Sequence, residues 1–126
     1  MAWDVEYTDE FGAWWSDKLD DREREAVAAH VALLEERGPA LDHPYSSAIQ
    51  GSRVPHLREL RIQHKGRPYR VLYAFDPRRT PILLVGGAKK GDDRWYDVNI
   101  PIAEKLYANH LRQLVEEGLI DGKEVS

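Results

Sequence analysis

Three apolar runs separated by short polar loops constrain the fold of this chain more than any other feature. The runs cover residues 57–63, 69–75 and 81–87, and the loops between them are residues 64–67 and 76–80. Such short loops predict neighbouring antiparallel strands, because a parallel pair needs a long crossover connection. The second and third runs are apolar at both alternating positions, which predicts central strands covered on both faces.

Helical patterns precede and follow this meander. Thr8 or Asp9 can cap a first helix and Asp20 or Asp21 a second, which ends at Gly38. Near the other end of the chain, an Asn-Ile-Pro sequence at 99–101 predicts an N-cap followed by the first turn of a C-terminal helix.

The remaining segments complete the predicted architecture. Residues 3–7 alternate apolar and acidic side chains, as an edge strand does, and residues 38–56 form a long connection with no sustained period. We therefore predict one α+β domain over residues 1–126, with a polar tail at about 119–126. Its small, mainly antiparallel sheet carries two N-terminal helices and a C-terminal helix on one face, which leaves the opposite face free to bind a ligand.

Charge is unevenly distributed along the chain. Residues 1–52 contain 4 Lys and Arg against 12 Asp and Glu, residues 53–94 contain 11 against 4, and residues 95–126 contain 3 against 6. A basic middle section between acidic ends can bind a polyanion even though the net charge is −4. The alternative is that these charges serve only solubility.

Several classes of protein are disfavoured by composition. With 0 Cys there is no disulfide, thiolate zinc site or cysteine nucleophile, and the cytoplasm is the expected location. The first residues are acidic where a signal peptide needs cations, and no apolar run approaches the ~20 residues that span a bilayer. The 5 His residues show no metal-binding spacing, so no metal is expected, and the glycines at 86, 87 and 91 lack the spacing of a phosphate-binding loop.

Cations on and beside the predicted strands are the strongest sign of a site. Arginine suits bidentate phosphate binding and lysine supplies a compact charge. Arg70 lies inside an apolar run, where an unpaired charge is costly, and Glu59 is its obvious structural partner. Trp95 and Tyr96 can stack on a base or donate a hydrogen bond. The candidate RNA-binding residues are Arg58, Arg67, Lys89, Arg94 and Trp95.

The order of these motifs resembles a known superfamily. Residues 57–62, 69–73, 85–90 and 95–96 are similar to the RelE/ParE bacterial toxins, in particular to the HigB-like branch derived from phages. The resemblance covers about residues 3–115. It implies a RelE-like α+β ribonuclease of a type II toxin–antitoxin system, which cuts messenger RNA on the ribosome. It also implies a cognate antitoxin of the helix-turn-helix DNA-binding kind.

The resemblance implies a catalytic set of Arg61, Arg70, Lys90 and Tyr96, with Lys89 replacing Lys90 in a shifted register. The implied chemistry is attack of the RNA 2′-hydroxyl on the adjacent phosphorus, without a metal or cofactor. The arginines would stabilise phosphoryl charge, and the cationic cluster would have to lower the pKa of the lysine or tyrosine that moves protons.

Two alternatives use the same fold. One is a ParE-like protein that inhibits DNA gyrase by binding and does not cleave RNA. The other is a relative that binds RNA without cleaving it, since fold alone does not determine function.

Overall fold

The computed structural model describes residues 2–89, 91 and 94–125, with side chains described as far as Lys123. The helices within these residues are α1 (Asp9–Lys18), α2 (Asp21–Arg37) and α3 (Arg94–Glu116), and 3₁₀ turns cover Gly38–Ala40 and Gly122–Val125. The strands are β1 (Glu6–Tyr7), β2 (Ser46–Ala48), β3 (Arg58–His64), β4 (Arg67–Phe75) and β5 (Pro81–Ala88). These elements confirm the predicted α+β class.

The strands of the described residues form one five-stranded sheet in the order β1-β5-β4-β3-β2. β3, β4 and β5 make the predicted antiparallel meander, in which Arg70 lies opposite both Arg61 and Gly87. β2 pairs antiparallel with β3, whereas β1 pairs parallel with β5, where Glu6 lies opposite Ile82. The sheet is therefore mainly antiparallel, as predicted, and Arg70 lies on its central strand.

Both N-terminal helices begin where a side chain accepts from free backbone N–H groups. The Thr8 hydroxyl accepts from the backbone of Phe11 at 3.1 Å and donates to the carbonyl of Leu84 in β5 at 2.6 Å. Asp20 and Glu23 form a reciprocal capping box with two 2.8 Å bonds. Such caps are worth about 0.5–2 kcal/mol each, and the Thr8 cap also ties α1 to the sheet.

Helices cover both faces of the sheet, so the prediction of one free face is wrong. On the face that we call the α1–α2 face, Val71 packs in a cluster with Phe11 and Val27. On the opposite face, called the α3 face, Leu72 packs with Ala103 of α3. The physical reason is that β4 and β5 are apolar at both alternating positions, and both sets of side chains must be removed from water.

α3 begins at Arg94, earlier than the sequence predicts. Asn99 is not its N-cap: the Asn99 amide donates to the carbonyl of Trp95 at 2.8 Å, within the helix. Pro101 lies inside the helix, not in its first turn. The earlier start places Trp95 and Tyr96 on α3, so the helix holds both aromatic side chains against the sheet.

The long connection at 38–56 contains a strand that the sequence does not predict. β2 has the sequence Ser-Ser-Ala, which shows no apolar alternation. It is stabilised by pairing with β3 and by a buried 2.6 Å hydrogen bond between the hydroxyls of Ser46 and Tyr73. Among the helices in the described part of the chain, none combines the length and apolar character needed to cross a membrane.

Candidate functional site

The side chain of Arg70 is buried on the α3 face and paired with a carboxylate. Only 9% of this side chain is exposed, and its Nε lies 3.3 Å from Glu59 Oε1. One terminal nitrogen also donates to the carbonyl of Tyr69 at 3.0 Å. The predicted pairing with Glu59 is confirmed. It explains how a charged residue is tolerated within an otherwise apolar strand.

Glu59 is the centre of a larger cluster. Its carboxylate, with 6% of the side chain exposed, accepts hydrogen bonds from Ser47 at 3.0 Å, from Arg61 at 3.2 Å and from the Tyr96 hydroxyl at 2.6 Å. Arg61 and Arg70 are directly opposite each other on β3 and β4, so Glu59 separates two like charges. We use the name Glu59 cluster for Glu59 and the four residues bonded to it, which are Ser47, Arg61, Arg70 and Tyr96. The sequence indicates Glu59 as a partner of Arg70 but not as the group that holds the whole site together.

Tyr96 is held in its neutral form. Burial raises the pKa of Tyr96, and its hydrogen bond to Glu59 raises it further, while Arg70 acts in the opposite direction. Arg70 Nε donates to the Tyr96 oxygen at 3.3 Å. The expectation that the cationic cluster lowers the pKa of this tyrosine is therefore wrong, because burial and the nearby carboxylate outweigh the arginine. Tyr96 is a hydrogen-bond donor in this arrangement.

The Glu59 cluster has a buried floor and an accessible rim. Glu59 and Arg70 form the floor, whereas 36% of the Arg61 side chain is exposed. Tyr96 is half-buried, and the ammonium of Lys89 lies 5.7 Å from the centre of its ring. An anion approaching this site meets Arg61, Tyr96 and Lys89 first, and the Glu59–Arg70 pair below them holds Arg61 and Tyr96 in place.

Two consecutive glycines at the end of β5 make room for two indoles. A Cβ on Gly86 would clash with the ring of Trp14 in α1, and a Cβ on Gly87 would clash with the ring of Trp95 in α3. Trp95 in turn contacts Tyr96 edge-on, with ring centroids 5.4 Å apart. The absence of a side chain at Gly87 thus allows Trp95 and Tyr96 to lie beside Arg70.

The structure does not bring all the predicted cations together. Strand alternation places Arg58 and Arg67 on the α1–α2 face, opposite to Arg61 and Arg70. Arg58 donates to Ser46 at 3.1 Å and lies 3.5 Å from Asp42. The prediction that Arg58 and Arg67 share one RNA-binding surface with the other cations is therefore wrong. The two-residue period of a strand is the signal that separates Arg58 from Arg61 and Arg67 from Arg70. Arg94 is exposed in the first turn of α3, and Lys90 lies outside the described residues.

A second polar cluster lies at the far end of β4. The Asp76 carboxylate is fully buried and accepts from Arg78 at 2.7 Å and His110 at 2.9 Å, and Arg78 also reaches Glu6 at 2.8 Å. Burial opposes ionisation of Asp76, but the hydrogen bonds from His110 and Arg78 outweigh it and set its pKa at about 2. This cluster fixes the 76–80 loop.

Ligand atoms of Glu6, Asp76 and His110 lie within 4.8 Å of one another, a spacing that a metal ion could use. The guanidinium of Arg78 already lies between the two carboxylates. A positive charge at this point supplies what a metal ion would supply, so the arrangement is that of an ion-pair network.

Comparison with known proteins identifies a family and two relatives. A family model described as "Phage derived protein Gp49-like (DUF891)" matches residues 14–108. The "Putative toxin HigB2" of Mycobacterium tuberculosis is 43% identical over 101 residues, which is 79% of this chain and 50% of that protein. The "Putative toxin HigB3" of the same organism is 41% identical over 98 residues, or 77% of this chain and 84% of that protein.

These matches confirm the resemblance to HigB-like proteins. The chain spans about half the length of the HigB2 relative and most of the HigB3 relative. The family match begins within α1 and ends within α3, so it includes the strands and the first turn of α3 that carry the Glu59 cluster. The chain belongs to the Gp49-like (DUF891) family of phage-derived proteins.

Proposed function

We propose that this protein is the toxin of a toxin–antitoxin pair and that it cleaves messenger RNA on the ribosome. The names of its two mycobacterial relatives support the toxin role. One observation supports the enzymatic role above all: Arg61, Arg70 and Tyr96 surround the buried Glu59 on the α3 face, where Arg61 stays accessible. This is a preorganised set of donors of the kind that stabilises developing negative charge.

The first step is binding of the scissile phosphodiester at the rim of the Glu59 cluster. Arg61 is the accessible guanidinium and pairs with the phosphoryl oxygens. Arg70 is a positioning residue, since it lies on the floor and holds Glu59 and Tyr96 in place. Because Arg61 remains charged throughout, its effect grows as charge accumulates on phosphorus-bound oxygen.

Proton transfer runs through Tyr96 to Glu59. The Tyr96 oxygen takes the proton of the RNA 2′-hydroxyl while its own proton passes to Glu59 along the existing 2.6 Å hydrogen bond. This relay needs no free phenolate, which agrees with the raised pKa of Tyr96. It also lets a carboxylate with only 6% of its side chain exposed act as the final proton acceptor.

The 2′-oxygen forms a bond to phosphorus and the bond from phosphorus to the 5′-oxygen breaks. The ammonium of Lys89, beside the Tyr96 ring, supplies the proton that the 5′-oxygen needs to leave as an alcohol. The products are a 2′,3′-cyclic phosphate and a 5′-hydroxyl. Proton exchange with water restores Lys89 and Glu59, and no metal or cofactor takes part.

A cognate antitoxin of the helix-turn-helix DNA-binding kind would neutralise the protein. The test is inducible expression in bacteria with and without the neighbouring reading frame, followed by mapping of transcript 5′ ends. We expect growth arrest with new cleavage sites inside coding regions, suppressed by the neighbour. Arrest with intact transcripts and a DNA-damage response would instead identify a gyrase inhibitor, and an absence of arrest would refute the toxin role.

A purified assay tests the chemistry directly. Synthetic RNA is cleaved on ribosomes, and each sample is stopped in a quench buffer that contains EDTA. The RNA fragments should carry cyclic-phosphate ends. Arg61→Ala should lower the rate about 10²–10³-fold, the usual effect of removing one charge-stabilising donor. Arg22→Ala removes an exposed arginine from α2 and should have no effect. Equal rates for the Arg61 variant and the wild type would contradict the proposed site.

A further inference from the structure

A large groove runs along α3 beyond the Glu59 cluster. Its volume is about 1040 Å³, and it lies between α3, the 53–56 segment and the end of β4. We call it the distal groove. The polar and aromatic side chains that line it include Arg53, His56, Glu104, Lys105, Tyr107 and Arg112.

The distal groove and the Glu59 cluster lie on the same flank of α3. Tyr96 reaches from α3 to Glu59 in β3, and Glu104 reaches from α3 to the segment that precedes β3. There Glu104 accepts from the Ser52 hydroxyl at 2.9 Å and from the Arg53 backbone at 2.6 Å. Glu104 is eight positions after Tyr96, which at about 1.5 Å per residue places it about 12 Å further along the helix axis.

The accessible charge in the distal groove is positive. Arg53, Lys105 and Arg112 are exposed, as is His56. The acidic residues of the groove are engaged elsewhere, because Glu104 is bonded to the 52–53 segment and Asp76 is paired with Arg78 and His110. A ligand in this groove therefore meets three accessible cations, and an anion fits it best.

Aromatic rings accompany these cations. The His56 ring is exposed and the Tyr107 ring is half-buried, with its hydroxyl bonded to the carbonyl of Phe75 at 3.3 Å. Positive side chains that follow a phosphate backbone, together with rings on which bases stack, are the usual means of binding single-stranded nucleic acid. An acidic peptide would use the charges but would leave the exposed His56 ring without a partner.

We infer that the distal groove binds single-stranded RNA several nucleotides away from the bond cleaved at the Glu59 cluster. This inference rests on the proposed function, since that cluster determines where the RNA is cut. The distal groove contributes affinity and sets a minimum substrate length, while the cluster performs the chemistry. The groove is thus a second contact with the same strand.

The test compares two matched double variants. Lys105→Ala with Arg112→Ala removes two exposed cations from the groove, and Lys18→Ala with Arg22→Ala removes two exposed helical cations elsewhere. Binding of a fluorescent 12-nucleotide RNA is measured in a Tyr96→Phe background over a range of salt concentrations. We expect the groove variant to bind about tenfold more weakly at 0.1 M salt, with a salt slope lower by about 1.4. The control pair should leave both quantities unchanged.

Cleavage separates this inference from the proposed function. With Tyr96 intact, the groove variant should lose kcat/KM on the 12-nucleotide RNA and keep it on a dinucleotide, which is too short to reach the groove. If the wild-type protein cleaves neither these RNAs nor messenger RNA on ribosomes, the proposed function fails, while the binding data still test the groove. Equal RNA binding by the groove and control variants would overturn the inference. So would a groove variant that binds RNA normally and loses affinity only for a polyglutamate peptide.

Discussion

The Tyr96 hydroxyl donates a 2.6 Å hydrogen bond to Glu59 Oε1 and thereby joins the first turn of α3 to β3. The two residues are 37 positions apart in the chain, and Arg70 of β4 contacts both of them. These three residues come from three different elements, and each residue can be altered separately.

Removing the Tyr96 hydroxyl should interrupt the proton relay while leaving the two arginines in place. We expect Tyr96→Phe to lower single-turnover cleavage about 10²–10⁴-fold, the range attributed to positioned proton transfer. Its free energy of unfolding should fall by about 1.5–3 kcal/mol, the net value of a hydrogen bond to a charged group. Rapid-quench kinetics and urea unfolding measure the two quantities. A variant that cleaves at the wild-type rate would exclude Tyr96 from the chemistry.

The Glu59–Arg70 pair should show opposite responses to single and double substitution. Glu59→Leu leaves the guanidinium of Arg70 buried without its carboxylate, which should cost about 3–5 kcal/mol of stability. Combining it with Arg70→Leu removes both charges and should recover most of that loss. Cleavage should remain abolished in the double variant. Urea unfolding at pH 7 gives the stabilities, and recovery of activity together with stability would show that the pair serves folding alone.

The adjacent glycines of β5 provide a matched comparison. Both Gly86→Ala and Gly87→Ala force an indole to move, so each should destabilise the fold by about 1–3 kcal/mol. Only Gly87→Ala displaces Trp95 and the neighbouring Tyr96, so it alone should reduce cleavage by the folded protein. Tryptophan fluorescence would report the displacement of either ring. Equal activity losses in the two variants would contradict this division.

The buried Asp76 carboxylate should make stability depend on acid pH. Its pKa falls from 3.8 to about 2 on folding, so its contribution is complete above pH 3.8 and is lost as the pH falls toward 2. A shift of that size corresponds to about 2–3 kcal/mol. The difference in unfolding free energy between wild type and Asp76→Asn should shrink as the pH falls below 4. The exposed Asp21→Asn serves as the control, and a difference that does not change with pH would refute the assignment.

The fold was predictable where local patterns determine it. The strands of the meander follow from their apolar runs, and the helix starts at Thr8 and Asp20 follow from side chains that cap backbone groups. β2 was not predictable, because its sequence has no apolar pattern and its position depends on β3 and Tyr73. The start of α3 was misjudged because Pro101, which favours a first turn, lies inside this helix.

The site was predictable only where the sequence itself shows that a charged residue needs a partner. The pairing of Arg70 with Glu59 follows from the cost of an unpaired buried charge, and strand alternation alone would have separated Arg58 from Arg61 and Arg67 from Arg70. The contact of Tyr96 with Glu59 could not be read from the sequence, since it depends on how α3 crosses the sheet. The position of Arg78 between Glu6 and Asp76 likewise depends on the pairing of β1 with β5.

The pairing of β1 with β5 also bears on how the chain is made. The strands of the meander are close together in the sequence and are made one after another. β1, in contrast, has no partner until β5 has been made, because Glu6 pairs with Ile82. Closing so long a loop carries an entropic cost that local hairpins avoid. The N-terminal helices are thus made before the sheet on which they pack, and the β1 edge of that sheet is completed only after β5 has been made.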